Sequence, residues 1–592
     1  MGKSWLWSSL AVLCFTMQPA SAAPDFPTKA EATNYLRTSR YDEDVAYVRR
    51  IAAGSEFAQV QVIGKTPEGR EMVMLVLSKD KAFTPEAARA TGKEIIFIQG
   101  GIHAGEIPGK DALLALARDM VISGTHRNLL DHAIVLFLPV FNVDGHERFG
   151  PYGRINQNGP IEMGWRTTAQ NYNLNRDFLK ADSPEMRAWL DNFARWLPDM
   201  VVDTHDTDGA DFQHDLTYGI ETHANLDAQI VAWQDKAFEK TIFPALQKIG
   251  HKTAPYLQFI DEKDLRKGFA DSATEPRYST GYSAIQNRSS ILVETHMLKD
   301  YKTRVIATYD LLVEILTYIH QHPGELRKAV DAADQRTIAR GKIYDATVNY
   351  PLNFEQGKAS IPFTFQGYAY TRELSDISGS IWVLYDHSKP ETMQVPFYNQ
   401  QLVEKSVVPP IGYIIPVSMT QVIDHLKAHH IDFQTIDKPT TVTVETYKFD
   451  EVTWQSKPFE NHIRTKSLKF TKIQKQIPYP AGSVVVLLSQ RTGNVIMHLL
   501  EPDGPDSLVQ WGFLDPIFEP KEYAEGYVME KMAREMLAKD PQLARDFEQK
   551  VAEDPAFAAS PQARLDFFYR RTPFYDERLN IYPIGRLLKA IP

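Results

Sequence analysis

At 592 residues, 43% hydrophobic and 24% charged, the chain is too long for one ordinary core and divides into two or three domains. A formal net charge of −10 with both signs mixed along the sequence excludes nucleic acid as the expected partner. The one cysteine, Cys14, falls in a segment expected to be removed, which leaves no disulfides and no thiolate metal ligands.

That segment, residues 1–22, joins Lys3, an apolar stretch from Leu6 to Met17 and the small residues Ala20-Ser21-Ala22. The layout is that of a secretory signal peptide, with cleavage near Ala22 or Ala23 and a secreted or periplasmic product. Its apolar run is shorter than the roughly 20 residues that cross a bilayer, so no stable membrane span is expected after cleavage. Residues 28–53 then read as helical, and 59–78 as two strands around a turn holding Pro67-Glu68-Gly69.

KEIIFIQGG (93–101) is a short apolar run ending in glycines, and Pro108 opens the helical pattern PGKDALLALARDMV. The same passage from apolar strand to polar cluster recurs in AIVLFLPVFNVDG (133–145), DMVVDTH (199–205) and SSILVETH (289–296). Runs buried on both faces and alternating with helices predict an α/β domain whose mixed, largely parallel sheet is flanked by helices. Ligands gather at the carboxyl ends of such strands, where His103, Glu106, Asn142, Asp144, His205 and Glu294 would sit.

Residues 303–321 read as a closing helix, which bounds a catalytic domain at 23–325. Alternating runs such as TVTVETYKF and SVVVLLS predict a β-rich accessory domain over 345–515, followed by a helical C-terminal segment over 516–592. Neither region carries a motif tied to chemistry, and nothing in the sequence fixes an oligomeric state.

The stretch GGIHAGEIPG (100–109) contains one of three H-x-x-E matches, His103/Glu106, His322/Glu325 and His498/Glu501, so the spacing alone selects nothing. His322/Glu325 follows a helix, and His498/Glu501 lies on an expected strand. Only the first pair stands between a strand and a helix, with His205 closing a later strand; His214 nearby lacks that strand-end position. Two imidazoles and a carboxylate suit zinc, and three protein ligands leave a fourth position for water, the catalytic arrangement. Zinc lowers the pKa of such a water towards about 7 and polarises the carbonyl under attack. Glu294 is the candidate to take the proton and pass it to the leaving group. The developing oxyanion needs a donor and a terminal carboxylate needs a planar guanidinium; GWRTTAQNYNLNRDF offers Arg166, Asn175 and Arg176.

Taken in order, HAGE, FNVDG, GWRTT, NLNRD, a histidine ending one strand and a glutamate ending a later one resemble the zinc carboxypeptidase (M14) family, as does GKTPEGREM ahead of them. The resemblance covers roughly residues 59–300. It implies one Zn2+ per chain on His103, Glu106 and His205, with Arg166 as the carbonyl-polarising donor and Glu294 as general base and then acid. Asn175 and Arg176 would grip the free C-terminal carboxylate of a peptide substrate. Two positions depart from the pattern. Asn173 stands where the family has an aspartate orienting the first zinc histidine, and Tyr278 and Tyr282 both lie near the place of its substrate-capping tyrosine, at spacings from Glu294 that match poorly. The expected activity is that of a zinc metallocarboxypeptidase. A zinc amidase acting on cell-wall peptides or N-acyl amino acids would use the same fold, and a catalytically silent binding protein would keep the fold without the chemistry.

Overall fold

A computed structural model describes residues 26–591; the expected signal segment and Cys14 lie outside them. The first half of the chain builds an eight-stranded sheet from β1 (Ala58–Lys65), β2 (Glu71–Leu77), β3 (Glu94–Gln99), β4 (Ala133–Leu138), β5 (Met200–Thr207), β6 (Leu216–Gly219), β7 (Thr253–Pro255) and, after two short excursions β8 (Gln258–Phe259) and β9 (Phe269–Ala270), β10 (Ser289–His296). Its order is β1-β2-β4-β3-β5-β10-β6-β7. The central run β4-β3-β5-β10 is parallel, and antiparallel pairs flank it on both sides.

Every residue of EIIFIQ in β3 and of AIVLFL in β4 is buried, as expected of strands covered on both faces. Alternation assigns the faces. Ile95 and Phe97 meet the helix Pro184–Trp196 through Trp189 and Phe193, while Ile96 and Ile98 meet Leu113 and Leu116 of the helix Pro108–Arg118 and Leu312 of the helix Tyr301–Gln321. Trp189 stacks on Phe193 with ring centroids 5.0 Å apart, and its indole N–H donates to Gln99 Oε1 at 2.7 Å.

Several expectations require revision. The helical reading of 28–53 splits into Lys29–Ala32 and Tyr41–Gly54, because Asn34 and Tyr35 adopt positive φ, which an α-helix does not accommodate. The closing helix is followed by a second, Glu325–Arg340, whose Leu326, Val330 and Ala333 enter the same core as the sheet, so the first unit runs past residue 325. His498 lies on a helix, Gly493–Leu500, rather than a strand. The last segment is not wholly helical: after four helices between Gly526 and Tyr569, the strand Gly585–Leu587 returns to a six-stranded accessory sheet.

The β-rich region is not separate from the catalytic sheet. The strand β11 (Tyr350–Gln356) pairs with Gln401–Val407, and the long hairpin Ile361–Leu374 with Ile381–Tyr398 extends to β9 and β8. One hydrophobic cluster runs from Phe97 and Trp189 to Leu426, Tyr447 and Leu499, and His429 and His425 each hydrogen-bond a carbonyl of the first half, Leu179 and Lys180, at 2.9 Å. Among the described residues no helix is long and apolar enough to cross a membrane. Replacing Trp189 with Ala removes the central ring of this shared core and leaves Gln99 Oε1 without its donor; the expected loss in unfolding free energy, read by chemical denaturation, is about 3–5 kcal/mol.

Candidate metal and substrate site

Side chains at the carboxyl edge of the sheet converge because of register. On β5 the odd residues Val201, Asp203 and His205 share one face, apolar in the core and polar towards the edge. Glu294 of β10 is the parallel register partner of His205, so the carboxylate and the imidazole rise side by side. Beyond β3, Gly101 takes a left-handed φ of 62°, a turn that suits glycine and carries the chain to His103 and Glu106. There Glu106 N–H donates to His103 O at 2.9 Å, which turns both side chains to one point.

At that point Glu106 Oε2 lies 3.1 Å from His103 Nδ1 and 3.0 Å from His205 Nδ1. The three ligand atoms lie within 4.8 Å of one another, and all three residues are buried. Tetrahedral bonds of about 2.0–2.2 Å to zinc separate ligand atoms by roughly 3.3 Å, so the triad has the size such an ion requires. Each far nitrogen faces an oxygen: Asn173 Oδ1 stands 3.1 Å from His103 Nε2, and Asp203 Oδ2 stands 3.0 Å from His205 Nε2, acceptors suited to hold the Nε2 protons were both Nδ1 atoms to face a metal.

Burial pushes His103 down to about 4, outweighing the pull of Glu106. Burial acts in the same sense on His205, but the Asp203 carboxylate carries it well above its ordinary value. Burial opposes the charge on Glu106, yet His103 and Arg154 hold it well below the usual carboxylate range. Glu294 goes the other way: burial pushes it to about 8, with His205 opposing and Glu106 adding to the rise. Among the described residues its Oε2 has no hydrogen-bond partner.

A cavity of about 660 Å³ opens over these groups. His103, Glu106, Arg166, Asn175, Arg176, Tyr278 and Glu294 all line it. Arg166 Nη1 is 3.3 Å from Glu106 Oε1. The Arg176 guanidinium lies 4.2 Å from the centre of the Tyr278 ring and has no carboxylate partner among the described residues, and burial lowers its pKa. Asn175 Oδ1 accepts from Ser279 N–H at 3.3 Å.

Six residues singled out in the sequence fall elsewhere. Tyr282 does not line the cavity; it is buried in the shared core, where its hydroxyl meets His429 Nδ1 and Gln286 Nε2, each at 2.8 Å. Asn142 caps the helix Val143–Glu147, and Asp144 anchors the β1–β2 turn through Thr66 and Arg70. His214 is buried outside the triad. His498 and Glu501 are also buried, and Glu501 accepts from Tyr413, Tyr447 and Arg586, a structural hub.

The structure adds groups that sequence reading passed over. Asp203 had a signal, an acid two residues before a histidine on one strand. Arg154 and Tyr256 had none; both line the cavity, and burial, reinforced by Glu294, raises the Tyr256 hydroxyl. Leu352, Asn353, Phe354, Glu355 and Gln356 of β11 form part of the wall, so the accessory region contributes to the site.

Residues 45–209 match the family described as zinc carboxypeptidase. Carboxypeptidase 2 of Trichophyton equinum is 22% identical over 522 residues, covering 85% of this chain and 89% of the relative. Carboxypeptidase 2 of Trichophyton rubrum is 22% identical over 509 residues, covering 84% and 88%. A metallo-carboxypeptidase structure from Burkholderia cenocepacia is 19% identical and covers 48% of this chain and 69% of that one at a TM-score of 0.35. Outer partners of ligand histidines typically carry about 10–100-fold in metal affinity. Asn173→Ala should therefore weaken zinc binding by about that factor in a chelator competition, while Asn173→Asp should bind at least as tightly as the parent.

Proposed function

We propose, for a chain that carries a domain of the zinc carboxypeptidase family, that this cavity removes the last residue of peptides by metal-assisted hydrolysis. His103, Glu106 and His205 would hold one zinc ion. The observation that carries the reading is the conjunction, in one cavity, of a buried His-Glu-His triad with, among the described residues, a carboxylate that has an unpartnered oxygen and a guanidinium that has no carboxylate partner. A binding protein without chemistry has no use for that carboxylate beside a cationic centre.

When bound, zinc supplies Lewis acidity towards the scissile carbonyl and acidifies the attacking water. Glu294 accepts the water proton at its free Oε2 and returns it to the departing amine, a general base that becomes a general acid. Arg166 points a cationic N–H towards the edge where negative charge develops on the carbonyl oxygen. Arg176 and Asn175 grip the terminal carboxylate, and the Tyr278 ring behind the guanidinium keeps its plane in place. Peptides with a free C-terminus, met in a secreted or periplasmic setting, are the substrates this arrangement fits.

Glu294→Gln should lower kcat by about 10²–10⁴-fold while zinc content, measured by atomic absorption, stays at one per chain; full turnover in that variant would exclude the proposed base. Arg176→Ala should raise KM for free-acid peptides and abolish the discrimination against their C-terminal amides, measured with matched peptide pairs.

Glu294 also links stability to pH in the zinc-stripped protein. Its folded carboxyl sits at about 8 against an ordinary 4.5, so the folded state binds the extra proton. That contribution is fully present below about 4.5 and is lost as pH rises through about 8. Melting curves after chelation should show the parent losing stability across that window more steeply than Glu294→Gln.

A further inference from the structure

Between the two ligands of HAGE lies Gly105, and the space beside it is occupied. A Cβ at Gly105 would stand 2.5 Å from Arg154 Cγ, 2.9 Å from its Cδ and 2.6 Å from Gly164 O, distances no side chain tolerates. The aliphatic stem of Arg154 therefore crosses directly over this glycine. Its guanidinium ends on the metal-ligand carboxylate, with Nη2 at 2.7 Å from Glu106 Oε1. Its Nε donates to Gln157 Oε1 at 2.7 Å, and Gln157 Nε2 donates in turn to Gly105 O at 2.9 Å. The contacts close a ring from the Gly105 backbone through Gln157 and Arg154 to Glu106.

The two oxygens of Glu106 are divided by this arrangement. Oε2 faces the two imidazole Nδ1 atoms and the backbone N–H of Asp206; Oε1 faces Arg154 and, farther off at 3.3 Å, Arg166. Arg154 is the more enclosed cation, its side chain 12% exposed against 39% for Arg166. The terminal torsion of a glutamate is broad and soft, so a carboxylate gains one fixed orientation only when something holds its second oxygen. A lysine would supply charge at that oxygen but not the second hydrogen bond to Gln157 that fixes the direction of approach.

We propose that Arg154 is a positioning residue for the zinc-ligand carboxylate of Glu106, and that Gly105 and Gln157 exist beside it to admit and aim its guanidinium. The inference rests on the zinc site proposed above. It assigns a role to a loop, residues 149–165, that lies between the recognisable motifs, and it explains why a glycine separates the ligands.

The test uses the full-length protein with zinc, and with cobalt(II) as a spectroscopic replacement. Arg154→Ala should raise the zinc dissociation constant by about 10–100-fold and change the visible cobalt spectrum, because the coordinating oxygen is no longer fixed. Arg154→Lys should restore the charge without restoring the parent spectrum. Gln157→Ala, a milder change that leaves the arginine in place, should shift affinity and spectrum in the same direction by less, and Gly105→Ala should reproduce Arg154→Ala by displacing the stem. A parent-like spectrum and unchanged zinc affinity in Arg154→Ala would overturn the proposal, as would an effect confined to KM. If the parent itself takes up no zinc, the proposed function fails and this inference fails with it; if the parent binds zinc and Arg154→Ala binds equally well, only this inference falls.

Discussion

A single carboxylate, Glu106, buried where three segments of chain meet, is the constraint on which the site depends. An ionised carboxylate taken out of water costs several kcal/mol unless charge and hydrogen bonds replace its hydration. Here His103 and His205 face one oxygen and Arg154 and Arg166 the other, with the Asp206 amide completing the set. These partners come from the loop after β3, the end of β5 and the irregular stretch between β4 and β5. Remove any one of these elements and the charge at the centre is left undercompensated. A divalent cation between the two imidazoles and Glu106 would complete the same compensation, as the proposed function requires.

The rest of the fold holds that centre still. A buried string runs from the core to the edge: Trp189 Nε1 donates to Gln99 Oε1, Gln99 Nε2 donates to Asp203 Oδ1 at 2.9 Å, and Asp203 Oδ2 faces His205 Nε2. Gln99, Asp203 and His205 sit on the same face of the adjacent parallel strands β3 and β5, so the alternation that builds the apolar core under Trp189 also delivers the polar chain at the edge. On the other histidine, Asn173 Oδ1 faces His103 Nε2 while also accepting from the Asn175 backbone N–H at 3.2 Å. The residue in contact with His103 thereby shapes the turn presenting Asn175 and Arg176, so one amide oxygen links the proposed metal site to the proposed carboxylate grip.

How much of this was legible depends on the range of the interaction concerned. His103, Glu106, His205 and Glu294 were found because apolar runs of strand length end in polar residues, and parallel strands place those ends together. Arg166, Asn175 and Arg176 followed from recognisable local wording. Arg154 did not, since it reaches Glu106 from a loop without periodicity, and only the structure shows that its stem fills the space beside Gly105. Tyr282 was misplaced for a related reason: it sits on the helix Ser279–Ile285 together with the cavity-lining Thr280, but on the side packed against His429, and no local pattern separates the two faces of so short a helix.

The accessory region was the least legible part, and the packing makes its relation to the site physical. Phe354 of β11 packs against His223 with ring centroids 4.6 Å apart; His223 Nε2 stands 2.8 Å from Glu221 Oε2; and Glu221 Oε1 accepts from the hydroxyl of Thr280, at 2.7 Å, in the cavity wall. Just past β9, the backbone N–H of Asp271 donates to Tyr398 O at 2.9 Å, which ties another wall residue to the accessory hairpin. None of these contacts touches the metal triad. The parallel sheet thus fixes the triad and Glu294, while β11 and the hairpin shape the wall of the cavity. Side-chain changes in the accessory strands can therefore alter what the cavity admits while leaving the triad and the position of Glu294 as they are.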